Sequence, residues 1–385
     1  MPTPVPSLTD RFPLPKQALR VVTKALILFL LVNILFAWVY PLPALGHVSI
    51  YNWLIPGRIR LPYGDNPSAA YNISSYNLDA MFSAHEIDKA PKPRDEYRVL
   101  LIGDSSTWGY LLEPEHTLSA QINDANLTTQ DGRQVVAYNL GYPVMSLMKD
   151  LVILDRALQY QPDLIIWLVT LESFPVDKQL FPPLLQNNPK TVSALIRKHR
   201  LNLDATDSDL PPRTFYQHTI LGARRELANW LRLQLYGLLW AATGIDQDIP
   251  DQYTLRLEDL SADESFHNLT PPHLQASDLA LDVLQAGINL AGDTPVVVIN
   301  EPMFISQGEN SNIRYNFYYP RWAYDDYRNL LKEASASGGW QYLDLWDIVP
   351  PGEFTNTAVH MTANGTTILA DRMSDTISSI ACRQP

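Results

Sequence analysis

Apolar positions along this chain fall into one long run and several short ones. In the long run, Val21 to Tyr40, only Thr23, Lys24 and Asn33 interrupt the apolar sequence, and about 20 apolar residues suffice to cross a bilayer core. One transmembrane helix over residues 21–42 is the expectation, with Trp38 and Tyr40 at the interface and Pro41 and Pro43 ending the helix. Arg11, Lys16, Arg20 and Lys24 precede or open the run, and no Lys or Arg follows it until Arg58. That asymmetry predicts a cytoplasmic segment over residues 1–20 and a body on the far side of the membrane. A cleaved signal peptide is the alternative; in either case the body is exported.

The short runs are strand-like. Arg98–Gly103, Gln134–Leu140, Asp163–Thr170, Pro295–Asn300 and Gln341–Trp346 are near-continuous in Val, Ile, Leu and aromatic residues. Met145–Gln159 and Tyr324–Ser335 carry helical spacing between them. Buried strands interleaved with helices predict a three-layer α/β/α sandwich with a mostly parallel sheet of about five strands. Residues 43–95, rich in Pro, Asn, Ser and Tyr, read as a stalk and irregular lead-in to a domain over residues 96–385. Between the third and fourth strands lies a long insertion, about 175–277. Its apolar stretch from Leu221 to Ile245 has three readings: a lid over the site, a packed helix, or a helix on the membrane surface with Arg224, Arg225 and Arg232 toward head groups.

Composition narrows the partners. Of 385 residues 46% are hydrophobic and 18% charged, as in ordinary folded proteins, and the net charge of -12 comes with no basic cluster. Nucleic acid is therefore not an expected partner. The single cysteine, Cys382, excludes an intrachain disulfide, and the eight histidines show no metal-ligand spacing, so neither a metal nor a cofactor is expected.

The candidate chemistry sits at two distant points. Tyr97-Arg98-Val99-Leu100-Leu101-Ile102-Gly103-Asp104-Ser105-Ser106 runs a strand into a small-residue turn that exposes a serine. Near the other end, Phe354-Thr355-Asn356-Thr357-Ala358-Val359-His360 places a histidine just before a helix. Ligands of parallel sheets bind beyond the carboxyl ends of the strands, where Ser105 as nucleophile and His360 as its base can meet. The Ser105 backbone N–H on its tight turn is a candidate oxyanion donor. Asn300-Glu301-Pro302 follows the fourth strand at the same edge, so Glu301 and Asp104 are candidate substrate contacts. The stretch from Arg314 to Trp322 is either a carbohydrate surface or aromatic packing.

Gly103-Asp104-Ser105 and His360 to Gly365, with Asn139-Leu140-Gly141-Tyr142-Pro143 after the second strand, resemble the blocks of the SGNH (GDSL-like) hydrolases over about residues 96–174 and 293–381. The resemblance implies a flavodoxin-like fold, a Ser105–His360 acyl-transfer site without a cofactor, and an acyl-ester substrate. Joined to an N-terminal anchor, it is similar to membrane-tethered members that handle acyl groups on envelope polymers, such as DltD-like alanyl-transfer proteins. Three positions depart from the family pattern. Thr357 stands where the family orients its histidine with an aspartate, leaving Thr357 itself, Asp344 or Asp347 for that task. Val144 replaces an oxyanion glycine, and Glu172 replaces the oxyanion asparagine, a role a carboxyl group fills only when protonated.

The expectation is a membrane-anchored extracytoplasmic serine esterase or O-acyltransferase acting on acyl esters, with an envelope glycan as the substrate class. Lipid is contacted through residues 21–42 and, in one reading, 221–245; a membrane-protein partner is a further expectation. The alternative is a catalytically degenerate relative serving as a binding or assembly subunit of a membrane complex. A phosphate-binding turn at Gly103–Ser106 is the third possibility, and it would leave His360 away from the serine.

Overall fold

The computed structural model describes residues 15–46, 48–55, 78–83, 85–210, 213–245, 249 and 252–382. The expected cytoplasmic segment up to residue 14, with Arg11, and most of the lead-in (47, 56–77 and 84, with Arg58) lie outside the described residues.

Five strands form one sheet: β1 (Glu96–Ile102), β2 (Gln134–Asn139), β3 (Leu164–Val169), β4 (Val296–Asn300) and β5 (Gln341–Asp344), ordered β2-β1-β3-β4-β5. Every neighbouring pair is parallel, with Leu101 opposite Ile166 and Ile102 opposite Trp167 at the centre. Burial follows position in the sheet. All residues of β1, β3 and β4 are buried, whereas β2 alternates and β5 is largely half-exposed at the two edges. Continuous apolar strands are stable only when both faces are covered.

The longer helices are α1 (Pro15–Val39), α2 (Leu118–Asp124), α3 (Leu147–Ala157), α4 (Pro189–His199), α5 (Arg224–Thr243), α6 (Leu281–Leu290), α7 (Arg321–Gly338) and α8 (Ala363–Ala381), and of these α2, α3, α6, α7 and α8 cover the sheet. On one face Leu100, Ile102, Trp167 and Val298 pack against Leu151 and Leu154 of α3, Val283 of α6 and Tyr324 and Tyr327 of α7. On the other, Val99, Leu101, Ile166 and Ile299 pack against Ile122 of α2 and Leu369, Met373 and Ile377 of α8. The result is the expected three-layer α/β/α sandwich. From β1 the chain crosses to β2 on one side and β3 on the other, so the strand order reverses beside the carboxyl end of β1, the place in such sheets where ligands bind.

The N-terminal helix starts at Pro15, earlier than the apolar run suggested, and ends at Val39; its stretch Lys16–Val39, 24 residues, is long and apolar enough to cross a membrane. Within the insertion, α4 buries Val192, Leu195 and Ile196 in the core beside α3. Helix α5 packs on the segment just after α1. There Trp230 Nε1 donates to the Leu45 carbonyl (2.8 Å), and the Gln234 amide takes the Ile50 N–H (2.9 Å) and gives to the Val48 carbonyl (3.0 Å). Gly237 is required at this contact, because a Cβ there would lie 2.3 Å from the Tyr51 ring.

Candidate active site

Ser105 owes its position to the stop of β1. After Ile102 the chain turns through Gly103 and Asp104 into a one-turn helix, Ser105–Trp108, and the Asp104 carboxylate caps that helix by accepting the Ser106 N–H at 2.7 Å. Gly109 (φ 88°) ends it, its N–H donating to the Ser105 carbonyl at 3.1 Å. As the first residue of a helix, Ser105 directs its N–H outward rather than into the helix.

His360 is held by a loop closed on itself. A bridge between Phe354 and Met361 joins its ends, the Thr355 N–H and hydroxyl both donate to the His360 carbonyl (2.8 and 3.1 Å), and the Thr357 hydroxyl accepts the N–H groups of Val359 and His360 (both 3.3 Å). Thr362 then caps α8 through the Gly365 N–H at 3.1 Å.

These two local structures bring together residues 255 positions apart: Ser105 Oγ lies 2.8 Å from His360 Nε2. On the other side of the ring, His360 Nδ1 lies 2.9 Å from Asn356 Oδ1. An amide oxygen only accepts, so Nδ1 carries the ring proton and Nε2 is left with a lone pair for the Ser105 hydroxyl. The tautomer is that of a general base. The Tyr110 ring, 4.7 Å from the imidazole, covers its flank. Among the described residues no carboxylate stands beside the buried His360, and burial pulls its pKa down to about 4.

Asn356 was missed in the sequence, and it replaces all three residues proposed to orient the histidine. Thr357 acts on backbone N–H groups, not on the ring. Asp344 lies on the edge strand β5, taken by Asn300 Nδ2 (2.9 Å) and the Arg328 guanidinium (2.8 Å). Asp347 is exposed.

Beneath the serine lies a buried ion pair, Lys149 and Asp150, that the sequence does not announce. Lys149, fully buried on α3, donates to the carbonyls of Gly103 (2.8 Å) and Tyr142 (2.6 Å) and pairs with Asp150 (2.7 Å). It thereby clamps the Gly103–Ser105 turn to the loop after β2. The Tyr142 N–H also donates to the Gly103 carbonyl (3.0 Å), and Gly141 has no room for a side chain, since a Cβ would sit 2.3 Å from the Trp108 nitrogen.

Val144 follows in this clamped loop with φ 77°, a region that a β-branched residue enters only under strain, on the order of 1–3 kcal/mol. The strain falls at the position where a glycine was expected. Among the three proposed oxyanion donors Glu172 drops out: Lys178 donates to one of its carboxylate oxygens and His267 Nε2 lies 3.1 Å from the other. Its carboxylate is an acceptor in this structure. Ser105 and Val144 remain, through their backbone N–H groups.

The two proposed substrate contacts are also corrected. Asp104 and Glu301 are both buried, facing the interior beneath the serine instead of a pocket. Burial raises Asp104 to about 6, with Lys149 opposing the rise; burial and then the Asp104 charge push Glu301 well above the usual carboxylate range. The Ser106 hydroxyl lies beside Glu301. Of the 314–322 stretch, Arg314, Tyr315, Asn316 and Tyr319 are buried, so its aromatic rings pack the core beside α7 and offer little to a sugar.

No family model matches the chain, and no curated protein matches it in sequence. Among solved structures it is similar to a lipase/acylhydrolase from Enterococcus faecalis, with 14% identity, TM-score 0.38, covering 74% of this chain and 96% of that one. A carbohydrate acetylesterase from Sinorhizobium meliloti (14%, 0.33, 74% and 99%) and an aryl esterase from M. smegmatis (12%, 0.32, 73% and 98%) are similar at the same level. Likeness this low adds no weight to a function.

Proposed function

We propose that the chain is a membrane-anchored serine esterase or O-acyltransferase of the SGNH type, with residues 21–42 as anchor and the domain over residues 96–385 outside the cytoplasmic membrane. The observation that carries this reading is the 2.8 Å approach of Ser105 Oγ to a His360 Nε2 whose tautomer Asn356 fixes. Ser105 Oγ attacks the ester carbonyl as its proton passes to Nε2. The oxyanion that forms faces the N–H groups of Ser105 and Val144. His360 then returns the proton to the departing alkoxide, leaving an acyl group on Ser105. Water or a sugar hydroxyl, deprotonated by the same nitrogen, takes the acyl group and frees the serine.

Arg11 ahead of α1 and Lys16, Arg20 and Lys24 in its first part support a cytoplasmic N-terminus. An acyl ester of an envelope glycan is the substrate class that fits an acyl-transfer site on that side of the membrane. In detergent, the protein is expected to hydrolyse p-nitrophenyl acetate and to show an acetyl mass increment on the peptide bearing Ser105. Ser105→Ala should lose both. A folded wild type with neither turnover nor an acyl adduct would remove the enzyme reading and leave a binding or assembly role.

A further inference from the structure

Helix α5 has two apolar faces, and the protein uses one of them. The inner face, with Trp230, Gln234 and Gly237, is docked on residues 45–51 as described. The outer face presents Leu231, Leu235, Leu238 and Leu239, all exposed and the central Leu235 at 68%. Their spacing of i, i+4, i+7 and i+8 is one stripe of a helix. Arg225 and Arg232, both exposed, border it. The segment on which α5 rests continues the patch with Ile50, Leu54 and Trp53, the last 83% exposed. Soluble surfaces rarely leave so many large apolar side chains together without a partner.

The position of this patch is fixed by the end of α1. The Leu221 N–H donates to Asn33 Oδ1 on α1 (3.2 Å), Arg213 donates to the Tyr40 hydroxyl, and the Tyr40 and His218 rings lie 4.3 Å apart. Asn33 and Ala37 are buried by these contacts, whereas Trp38 on the same helix stays exposed. The insertion therefore grips α1 where the helix would leave the bilayer. An apolar stripe bordered by arginines has the make-up of a helix that lies in a membrane interface.

We infer that α5, together with residues 50–54, binds the lipid surface of the leaflet from which α1 emerges, with Arg225 and Arg232 on lipid phosphates. The site is thereby held at a set height above the bilayer. This inference rests on α1 spanning the membrane.

The test uses the full chain with its one native cysteine removed by Cys382→Ser. Leu28→Cys on α1, Leu235→Cys on α5 or Asp375→Cys on α8 is then labelled with an environment-sensitive fluorophore in nanodiscs of phosphatidylcholine and phosphatidylglycerol. Quenching by shallow-doxyl lipid at position 235, several-fold stronger than at 375, is expected, with deep-doxyl lipid quenching position 28. Position 28 quenched but 235 open to aqueous iodide would leave the anchor and overturn the surface helix. A label at 235 shielded from iodide yet untouched by doxyl lipid would mean that a second copy or another protein covers the stripe, and would overturn it as well. No lipid quenching at position 28 would remove the anchor on which the inference stands.

Discussion

The two walls of the candidate site are built on opposite principles. The serine wall stands on buried ionisable groups: Lys149, Asp150, Asp104 and Glu301 are packed beneath the turn, and the lysine is its clamp. On the histidine wall no charge among the described residues faces the ring; threonine hydroxyls hold the loop and an asparagine holds the imidazole. The contrast separates two tasks. Holding a tight turn against its neighbouring loop needs strong, directional bonds to carbonyls, which an ammonium supplies. Keeping a base neutral and ready needs an acceptor at Nδ1, and an amide gives the tautomer without the charge that would stabilise the imidazolium.

The largest expected effect comes from breaking the clamp. Lys149→Met leaves Asp150 and Asp104 buried without their cation and should cost about 3–5 kcal/mol, seen as a large drop in melting temperature in detergent. Even at a temperature where the variant stays folded, serine reactivity should fall, because the Gly103 and Tyr142 carbonyls are no longer joined. A Lys149→Met protein as stable as wild type would show that the charges under the serine are incidental.

The histidine wall is sharpened by giving it a charge. In the wild type, His360 must be neutral to act as base, and with its pKa held at about 4 the acid limb of kcat/KM should lie near that pH. The same depressed pKa contributes stability that is present above the ordinary histidine pKa and lost as pH falls toward 4. Asn356→Asp puts a carboxylate at Nδ1. It should move the acid limb upward and raise the rate on the plateau by about 10-fold. An unchanged limb in a pH–rate profile would mean that Asn356 does not face the ring.

Smaller effects follow within the serine wall. Glu301 is held above the usual carboxylate range, so its folded form is most favoured when protonated, and stability is lost as pH rises through its raised pKa. Glu301→Gln should therefore be near neutral at acid pH and stabilise by about 1 kcal/mol in alkaline buffer, read as the difference between two melting curves. The smallest effect is expected from Val144→Gly, which relieves a positive φ against the chain-entropy cost of glycine and should add about 0.5 kcal/mol while keeping the backbone donor. Loss of reactivity in this variant would show that the valine side chain itself takes part.

The fold was legible because strands buried on both faces leave near-continuous apolar runs, and β1, β3 and β4 are of this kind. The serine and histidine were legible because their places, after the first strand and before the last helix, converge above a parallel sheet. Asn356 was not, since a turn asparagine looks the same whether it caps a loop or holds a ring. Lys149 was hidden for the opposite reason: a lysine on a helix reads as solvent-facing, and only the packing of α3 on the turn reveals that its amine points inward. Asp104 and Glu301 were misread as pocket residues because sequence gives the end of a strand without saying which way a side chain turns. The insertion was ambiguous because α5 is apolar on two faces, and one-dimensional spacing does not say which face meets residues 45–54.

The most direct test of the central claim, that Ser105 is an activated nucleophile, is labelling of the detergent-solubilised chain with a fluorophosphonate probe beside Ser105→Ala and His360→Ala. Labelling of the wild type, absent from both variants, is the predicted result. A folded wild type that takes up no probe, or labelling that persists in Ser105→Ala, would contradict the account.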